Sequence, residues 1–446
     1  MRRIEQQTRA SATLTVAVVI ACFLLAGGLC LAQARIEGIN GPTFNFTAKA
    51  GEISTADGGS IHFWGYQDDQ GHNGQIIGGP LPQYPGPTLI VTEGQTVSIT
   101  LRNMLPHPTS IVFPGHKVTA TDGIDGVFTQ EVAADNGVSS VTYSFVAEKP
   151  GTYMYHSGTE MDLQVEMGLV GAIIVRPAGH ADWAYNHADT WFTHEYLFLI
   201  TSLDPVIHQL AEQGRFAEID TTSYWPVYWF INGRTAPDVL VGAYVPWLPH
   251  QPYNCAPRTT PGQRVLQRLV AAGQVQHPFH PHGNHSKLIA RDGRLLSTDG
   301  GLSGPNAARE TFTVLTVPGQ TVDQIFRWTG EKMGWDFYGP PGSHGFVDAN
   351  GDGYDDVTWE WAEDHGKPFP VVLPENQNLV FGGWYSGSPY LGSAGTLPPG
   401  EGGLNPNSGF FFMWHSHSEK ELTNFDIFPG GLLTMMVIEP PGTPIP

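Results

Sequence analysis

Residues 85–103 read PGPTLIVTEGQTVSITLRN, and this stretch decides the fold class. From Thr96 to Arg102, polar side chains (Thr96, Ser98, Thr100, Arg102) alternate with apolar ones (Val97, Ile99, Leu101). Side chains on a strand point to opposite faces in turn, so this period predicts a half-buried β-strand. A shorter run, 88–91, precedes it, and Gly94-Gln95 makes the turn between them. The same script recurs at 259–273, TTPGQRVLQRLVAAG, where Gly262-Gln263 again opens an alternating strand. Two copies of one device in one chain predict a duplicated β-sandwich.

The rest of the chain agrees. Short runs rich in Val, Ile, Leu, Thr and aromatics, bounded by Gly, Pro or Asn, continue at 141–146, 171–175, 195–201, 230–232, 265–270, 287–290, 312–317, 322–328, 409–414 and 433–439. No helical period is sustained. The 54 glycines and 36 prolines among 446 residues supply the turns. The expected architecture is all-β: an antiparallel sandwich over 35–178, a linker, and a second sandwich over 190–440. A Gly- and Pro-dense insertion at 329–408 interrupts the second. Charged residues are 14% of the chain, below the usual ~25%. The net charge of −20 disfavours nucleic acid and anionic lipid as partners and favours cations; it also serves simple solubility.

The first 34 residues read as a secretory signal. Arg2, Arg3 and Arg9 precede an apolar run from Ala12 to Ala32, and Ala32-Gln33-Ala34 has the small-x-small form of a cleavage site. An uncleaved membrane anchor is the alternative, because the run is near the ~20 residues that span a bilayer. Cys22 and Cys30 lie in that segment, which leaves Cys255 without an internal disulfide partner. The expected location is secreted or periplasmic, with no membrane contact after cleavage.

Two segments carry the chemistry. HPFHPHGNH at 277–285 supplies His277, His280, His282 and His285; FFFMWHSHSEKE at 410–421 supplies His415 and His417. On a strand, residues i and i+2 share a face. His415 and His417 therefore project together, as do His280 and His282. Imidazole clusters suit copper, zinc, iron and nickel, with copper the tightest among divalent ions. Glu419 and Glu421 are read as solvated acids, with oxygen ligation as the alternative.

These segments resemble the third and fourth copper motifs of the multicopper oxidases, HPxHxHG and HCHxxxH. FINGRTAPDVL at 230–240, LIARDG at 288–293 and FPGGLLTMMVIEPP at 428–441 agree with that family, as do 85–103 and GTYMYHSGTEMDLQVEMGLVGAIIV at 151–175. The resemblance implies two cupredoxin-like Greek-key sandwiches, copper as cofactor, oxidoreductase activity, and a small molecule or metal ion as electron donor. It also implies a homotrimer, since two-domain members complete their sites between subunits. Carried over position by position, His277 matches a mononuclear-site ligand, and His280, His282, His415 and His417 match trinuclear ligands. His156 is what remains of the second motif.

The departures are as informative. The first motif falls on Val112-Phe113-Pro114-Gly115, without histidine, though His107 and His116 flank it. The family's cysteine is replaced by Ser416, its distal mononuclear histidine by Glu421, and the axial methionine position falls near Asp426. A blue copper site needs a thiolate in a His₂Cys set, and a serine hydroxyl is no substitute. The expectation is a His-only copper site at His156, His277, His280, His282, His415 and His417. The alternative is a non-catalytic copper carrier or an extracytoplasmic scaffold on the same fold.

DANGDGYDD at 348–356, inside the insertion, suggests a second metal. Asp348, Asn350, Asp352, the Tyr354 carbonyl and Asp356 fall at positions one, three, five, seven and nine of a calcium loop, with Gly353 at the sharp turn. Position twelve is Trp359 instead of glutamate. The expected role is structural calcium binding; the alternative is an acidic turn.

Overall fold

The computed structural model describes residues 35–71, 80–368, the backbone of 388–390, and 409–445. The expected signal segment, with Cys22 and Cys30, lies outside the described residues, as do 369–387 and 391–408 of the insertion. Residues 35–443 form one compact unit, and no helix among the described residues is long and apolar enough to cross a membrane.

Among the described residues that unit is all-β, with two pairs of sheets and a small two-stranded one, Ile124–Asp125 with Gln130–Glu131. In the first half, one sheet runs Ile39–Asn40, Leu89–Thr92, Val170–Arg176, Gly151–His156. Its companion runs Pro82–Gln83, Ser60–Asp68, Thr43–Ser54, Thr96–Asn103, Ser140–Val146, Thr119–Thr121. In the second half, one sheet is centred on His194–Leu203, Arg264–Ala271 and Thr321–Arg327. The other orders Arg258–Thr259, Leu433–Ile438, Gly409–Ser416, His277–Pro281, Val314–Thr316.

The quoted repeat does the same work twice. Leu89–Thr92 pairs parallel with the strand that closes its half, Val170–Arg176, and Arg258–Thr259 pairs parallel with Leu433–Ile438. After the turn, Thr96–Asn103 pairs parallel with Thr43–Ser54, and Arg264–Ala271 parallel with His194–Leu203. Each repeat thus crosses from one sheet of its sandwich to the other. The crossing needs a left-handed backbone, which Gly94 (φ 84°) and Gly262 (φ 79°) adopt without a Cβ penalty. The parallel pairs qualify the expectation of an antiparallel sandwich over 35–178: the chain switches sheets between short strands in addition to making hairpins. The unit also holds an eight-residue helix, Pro205–Glu212, capped by the Asp204 side chain, which accepts the Val206 N–H.

Alternation becomes burial as expected. Val97, Ile99 and Leu101 are fully buried in the first core with Phe44, Phe46 and Tyr143. In the second core, Phe410, Phe412 and Trp414 point inward from one strand and pack with Phe198, Phe279 and Phe326. The halves meet along an apolar seam in which Met154, Ala172 and Ile174 pack on Leu197, Leu199 and Val270. A buried polar network pins this seam. Arg268 donates to Glu195 (3.0 Å) and Thr152 (3.0 Å), and Thr152 donates to Asp323 (2.6 Å). Burial works against the Glu195 carboxylate, yet Arg176 and Arg268 hold it below its ordinary value. Cys255 is a free thiol, buried, with its pKa pushed up by desolvation.

Candidate metal centre

The strand register builds the site. His277–Pro281 and Gly409–Ser416 run antiparallel, with His280 directly opposite His415 and Phe279 opposite Ser416. One face of this pair therefore carries Phe279, Trp414 and Ser416 into the core. The other carries His280, His282, His415 and His417. Gly283 follows at φ 102°, and its missing Cβ lets Phe412 approach to 3.0 Å of where that atom would stand.

The four rings converge. Centroids lie 4.6 Å apart for His280–His282, 4.8 Å for His280–His417, 5.1 Å for His282–His415, 5.3 Å for His415–His417 and 5.7 Å for His280–His415. The Nε2 atoms of His282 and His415 are 3.1 Å apart. Two imidazoles bound to one ion at ~2.0–2.1 Å have nitrogens about 2.9–3.4 Å apart for bond angles between square and tetrahedral, so this spacing suits shared coordination.

The outer nitrogens are fixed. His280 Nδ1 donates toward the Phe312 carbonyl (2.7 Å) and lies 2.8 Å from Thr313 Oγ1, and His415 Nδ1 donates to the Ser416 carbonyl (2.6 Å). An Nδ1–H committed to a carbonyl leaves Nε2 as a lone pair for a metal, the usual arrangement around ligating histidines. Trp414 Nε1 donates to the His282 carbonyl at 2.9 Å and fixes that turn. Desolvation, then the neighbouring His282, pushes His280 down to about 4. Desolvation likewise lowers His415. Neutral, unprotonated imidazoles are the form that binds metal. His417 is half exposed at the rim, 3.3 Å from the Glu419 carboxylate.

His277 is not part of this group. It faces the other way, into the core, fully buried, with Nδ1 2.8 Å from Glu421 Oε2. Its buried Nε2 has no hydrogen-bond partner among the described residues. The reading of Glu421 as a solvated acid is thus overturned. The short 3-10 turn Glu419–Leu422 swings it inward, to 6% exposure, while Glu419 stays at the surface. A blue copper set does not fit here. Ser416 is buried with its hydroxyl accepting the Ser418 N–H, Glu421 is engaged by His277, and Asp426 sits on an exposed loop. The four-imidazole face, by contrast, fits a copper ion in donor type, tautomer and spacing.

Nor does His156 make a hydrogen bond or ring contact with the four histidines among the described residues. It ends the strand Gly151–His156, bridges to Val112, and donates Nδ1 to the Ser157 carbonyl at 2.8 Å. His415 is held by the same bond to its own following carbonyl. Of the histidines flanking the first motif, His107 pairs with Glu160 (3.0 Å) and packs edge-on against Phe216. His116 stacks on Phe145 and packs at a tilt against Tyr153. Neither reaches the four rings. His285 stacks on Phe312 and lines a neighbouring cleft of about 450 Å³ with Arg264, Lys287, Arg327 and Trp359.

In the calcium-type segment, Asp348 accepts the N–H groups of Gly351 (2.7 Å), Asp352 (3.1 Å) and Gly353 (2.9 Å). Asn350 caps Asp352, Asp352 caps Tyr354, and Asp356 accepts from Ala349. The loop is coiled as expected, with Gly353 at φ 90°. These bonds are also what an acidic turn makes by itself.

Comparison with known proteins bears on the family likeness and the fold. Residues 68–180 match the sequence model of the family described as multicopper oxidase. Laccase abr2 of Aspergillus fumigatus is 36% identical over 104 residues, 23% of this chain and 17% of that protein. Copper resistance protein A of Pseudomonas syringae pv. tomato is 23% identical over 273 residues, 56% of this chain and 44% of that one. Blue copper oxidase from Nitrosomonas europaea superposes with a TM-score of 0.53 at 17% identity, covering 88% of this chain and 85% of that one. The matched stretch thus spans less than a fifth of the laccase and less than half of the copper resistance protein. The likeness to multicopper oxidases is carried by sequence over 68–180 and by the cupredoxin-type fold over most of the chain.

Proposed function

We propose that this multicopper-oxidase-like chain is an extracytoplasmic copper-binding oxidoreductase whose working site is the face formed by His280, His282, His415 and His417. The observation that carries the reading is the convergence of four imidazoles whose outer nitrogens, at His280 and His415, are already spent on carbonyls. Copper held by these four imidazoles would supply one-electron redox chemistry. The chain's own residues do the rest. His280 and His415 are locked in one tautomer, Trp414 holds the His282 turn, and half-exposed His417 leaves the rim open to a small organic or metal-ion donor.

His156 supports a subunit-bridging extension of this reading. It is held as His415 is, yet it touches none of the four rings among the described residues of its own chain; in a homotrimer it would complete the site of a neighbour. Calcium at Asp348, Asn350, Asp352, Tyr354 and Asp356 would fix the insertion. The N-terminal segment would direct export.

A second reading, a copper carrier without turnover, is favoured by one observation. Ser416 and the His277–Glu421 pair stand where an electron-entry copper would sit. Metal analysis and electron paramagnetic resonance of copper-loaded protein, with oxygen uptake on phenolic, Mn(II) and Cu(I) donors, separate the two. Stoichiometric copper with turnover supports the oxidoreductase, and stoichiometric copper without turnover supports the carrier. No tightly bound copper would refute both.

A further inference from the structure

The insertion holds a second group of metal-type donors, far from the strand pair in both sequence and chemistry. Asp336, His344, Glu360 and His365 place one donor atom each within 4.8 Å of one another. Glu360 reaches both imidazoles, His344 Nε2 at 2.9 Å and His365 Nδ1 at 2.9 Å. Asp336 Oδ2 lies 3.7 Å from His344 Nε2 and 4.0 Å from His365 Nδ1. Both carboxylates are almost wholly buried, Glu360 at 1% and Asp336 at 3% exposure. We propose that these four side chains form a zinc-type site, taking one divalent transition-metal ion that staples the insertion.

Charge is the first argument. Two buried carboxylates within 4.8 Å of each other are unstable unless positive charge sits between them. Among the described residues, no lysine or arginine forms an ion pair with either; their partners are the two histidines. The deficit is two charges, which one divalent ion would meet while leaving both imidazoles neutral, the form that binds metal. Donor type is the second argument. Two imidazole nitrogens rule out calcium and magnesium, which take oxygen sets. A four-donor N₂O₂ shell with no thiolate is a common zinc set.

The third argument is the support behind the donors. Asp336 accepts the backbone N–H groups of Tyr338 (2.8 Å) and Gly366 (2.9 Å), and its own N–H donates to the Lys367 carbonyl (3.0 Å). The residues on either side, Trp335 and Phe337, are each 1% exposed in the second core. Asp336 is therefore the anchor, and the ion would tie His344, Glu360 and His365 to it. The calcium-type loop 348–356 lies between His344 and Glu360 in the chain, so the staple would close that loop as well.

The test uses the full chain, stripped of metal and reloaded with zinc chloride alone. Zinc per chain is measured for wild type and for H344Q/H365Q. The variant is expected to bind one equivalent less, while H282A/H415A loses zinc independently. Limited proteolysis within residues 336–368 should accelerate in the stripped protein and in H344Q/H365Q. Equal zinc in wild type and H344Q/H365Q would overturn the proposal. Should that variant not fold, anomalous scattering at the zinc edge from wild-type crystals decides. A peak between the four side chains supports the site, and no peak there at millimolar zinc refutes it.

Discussion

Truncating Glu421 to alanine should destabilise the second sandwich by about 2–4 kcal/mol, the cost of leaving a buried imidazole without its hydrogen-bond partner and a cavity beside it. The magnitude follows from what remains. His277 is fully buried, its Nδ1 bond to Glu421 is 2.8 Å, and its Nε2 has no partner among the described residues. E421A therefore leaves an imidazole unsatisfied at both nitrogens, with an unfilled volume beside it. An unsatisfied buried polar group alone costs about 1–3 kcal/mol. E421Q keeps an acceptor and should lose less, about 1–2 kcal/mol. H277F/E421L removes both polar partners and should recover most of the loss. Urea unfolding followed by tryptophan fluorescence gives the free energies, and the cycle gives the coupling. If E421A unfolds within about 0.5 kcal/mol of wild type, the range of an ordinary surface change, or if H277F/E421L is as weak as E421A, the pair does not hold this core and the reasoning fails.

H282A or H415A should lower copper affinity at least tenfold, read by competitive chelator titration, while the far-ultraviolet spectrum stays unchanged; undiminished affinity would place the ion elsewhere. Copper-loaded wild type should lack the intense blue thiolate absorption, because Ser416 offers no sulfur and Cys255 is buried among apolar groups. Burial pushes His116 down to about 4 from an ordinary 6.5, so the folded state resists a proton that the unfolded chain accepts. Its contribution is intact above pH 6.5 and is lost as pH falls toward 4. H116F, which keeps the stacking, should gain on wild type between pH 7 and 4 by at most about 3 kcal/mol, less after solvent screening. D348N/D352N should abolish any calcium-induced rise in melting temperature, and an unchanged rise would mean that calcium binds elsewhere.

Much of this architecture was legible locally, and what was not is non-local. The alternation of Val97, Ile99 and Leu101 announces a half-buried strand whatever it pairs with. Its parallel partner, Thr43–Ser54, cannot be read from either segment, because pairing is decided by the whole sandwich. His280 with His282, and His415 with His417, were visible because a strand returns every second residue to one face. That the two pairs oppose each other depended on register. Glu421 was misread because its inward turn is made by a 3-10 segment, which has no apolar period of its own. Asp204-Pro205, an N-cap followed by a first-turn proline, was an available signal for the helix that composition hid. Asp336, His344, Glu360 and His365 come together through turns, so their spacings carry no period at all.

The facing of His280 by His415 gives the ion a role in assembly. Sliding one strand by a single residue would turn its imidazoles toward the apolar interior and bring the aromatic row out into water. Only a chain that has chosen the right neighbour, at the right offset, presents four nitrogens together. Metal uptake would then act as an inspection step, drawing correctly zipped molecules out of the pool and leaving mispaired ones empty-handed.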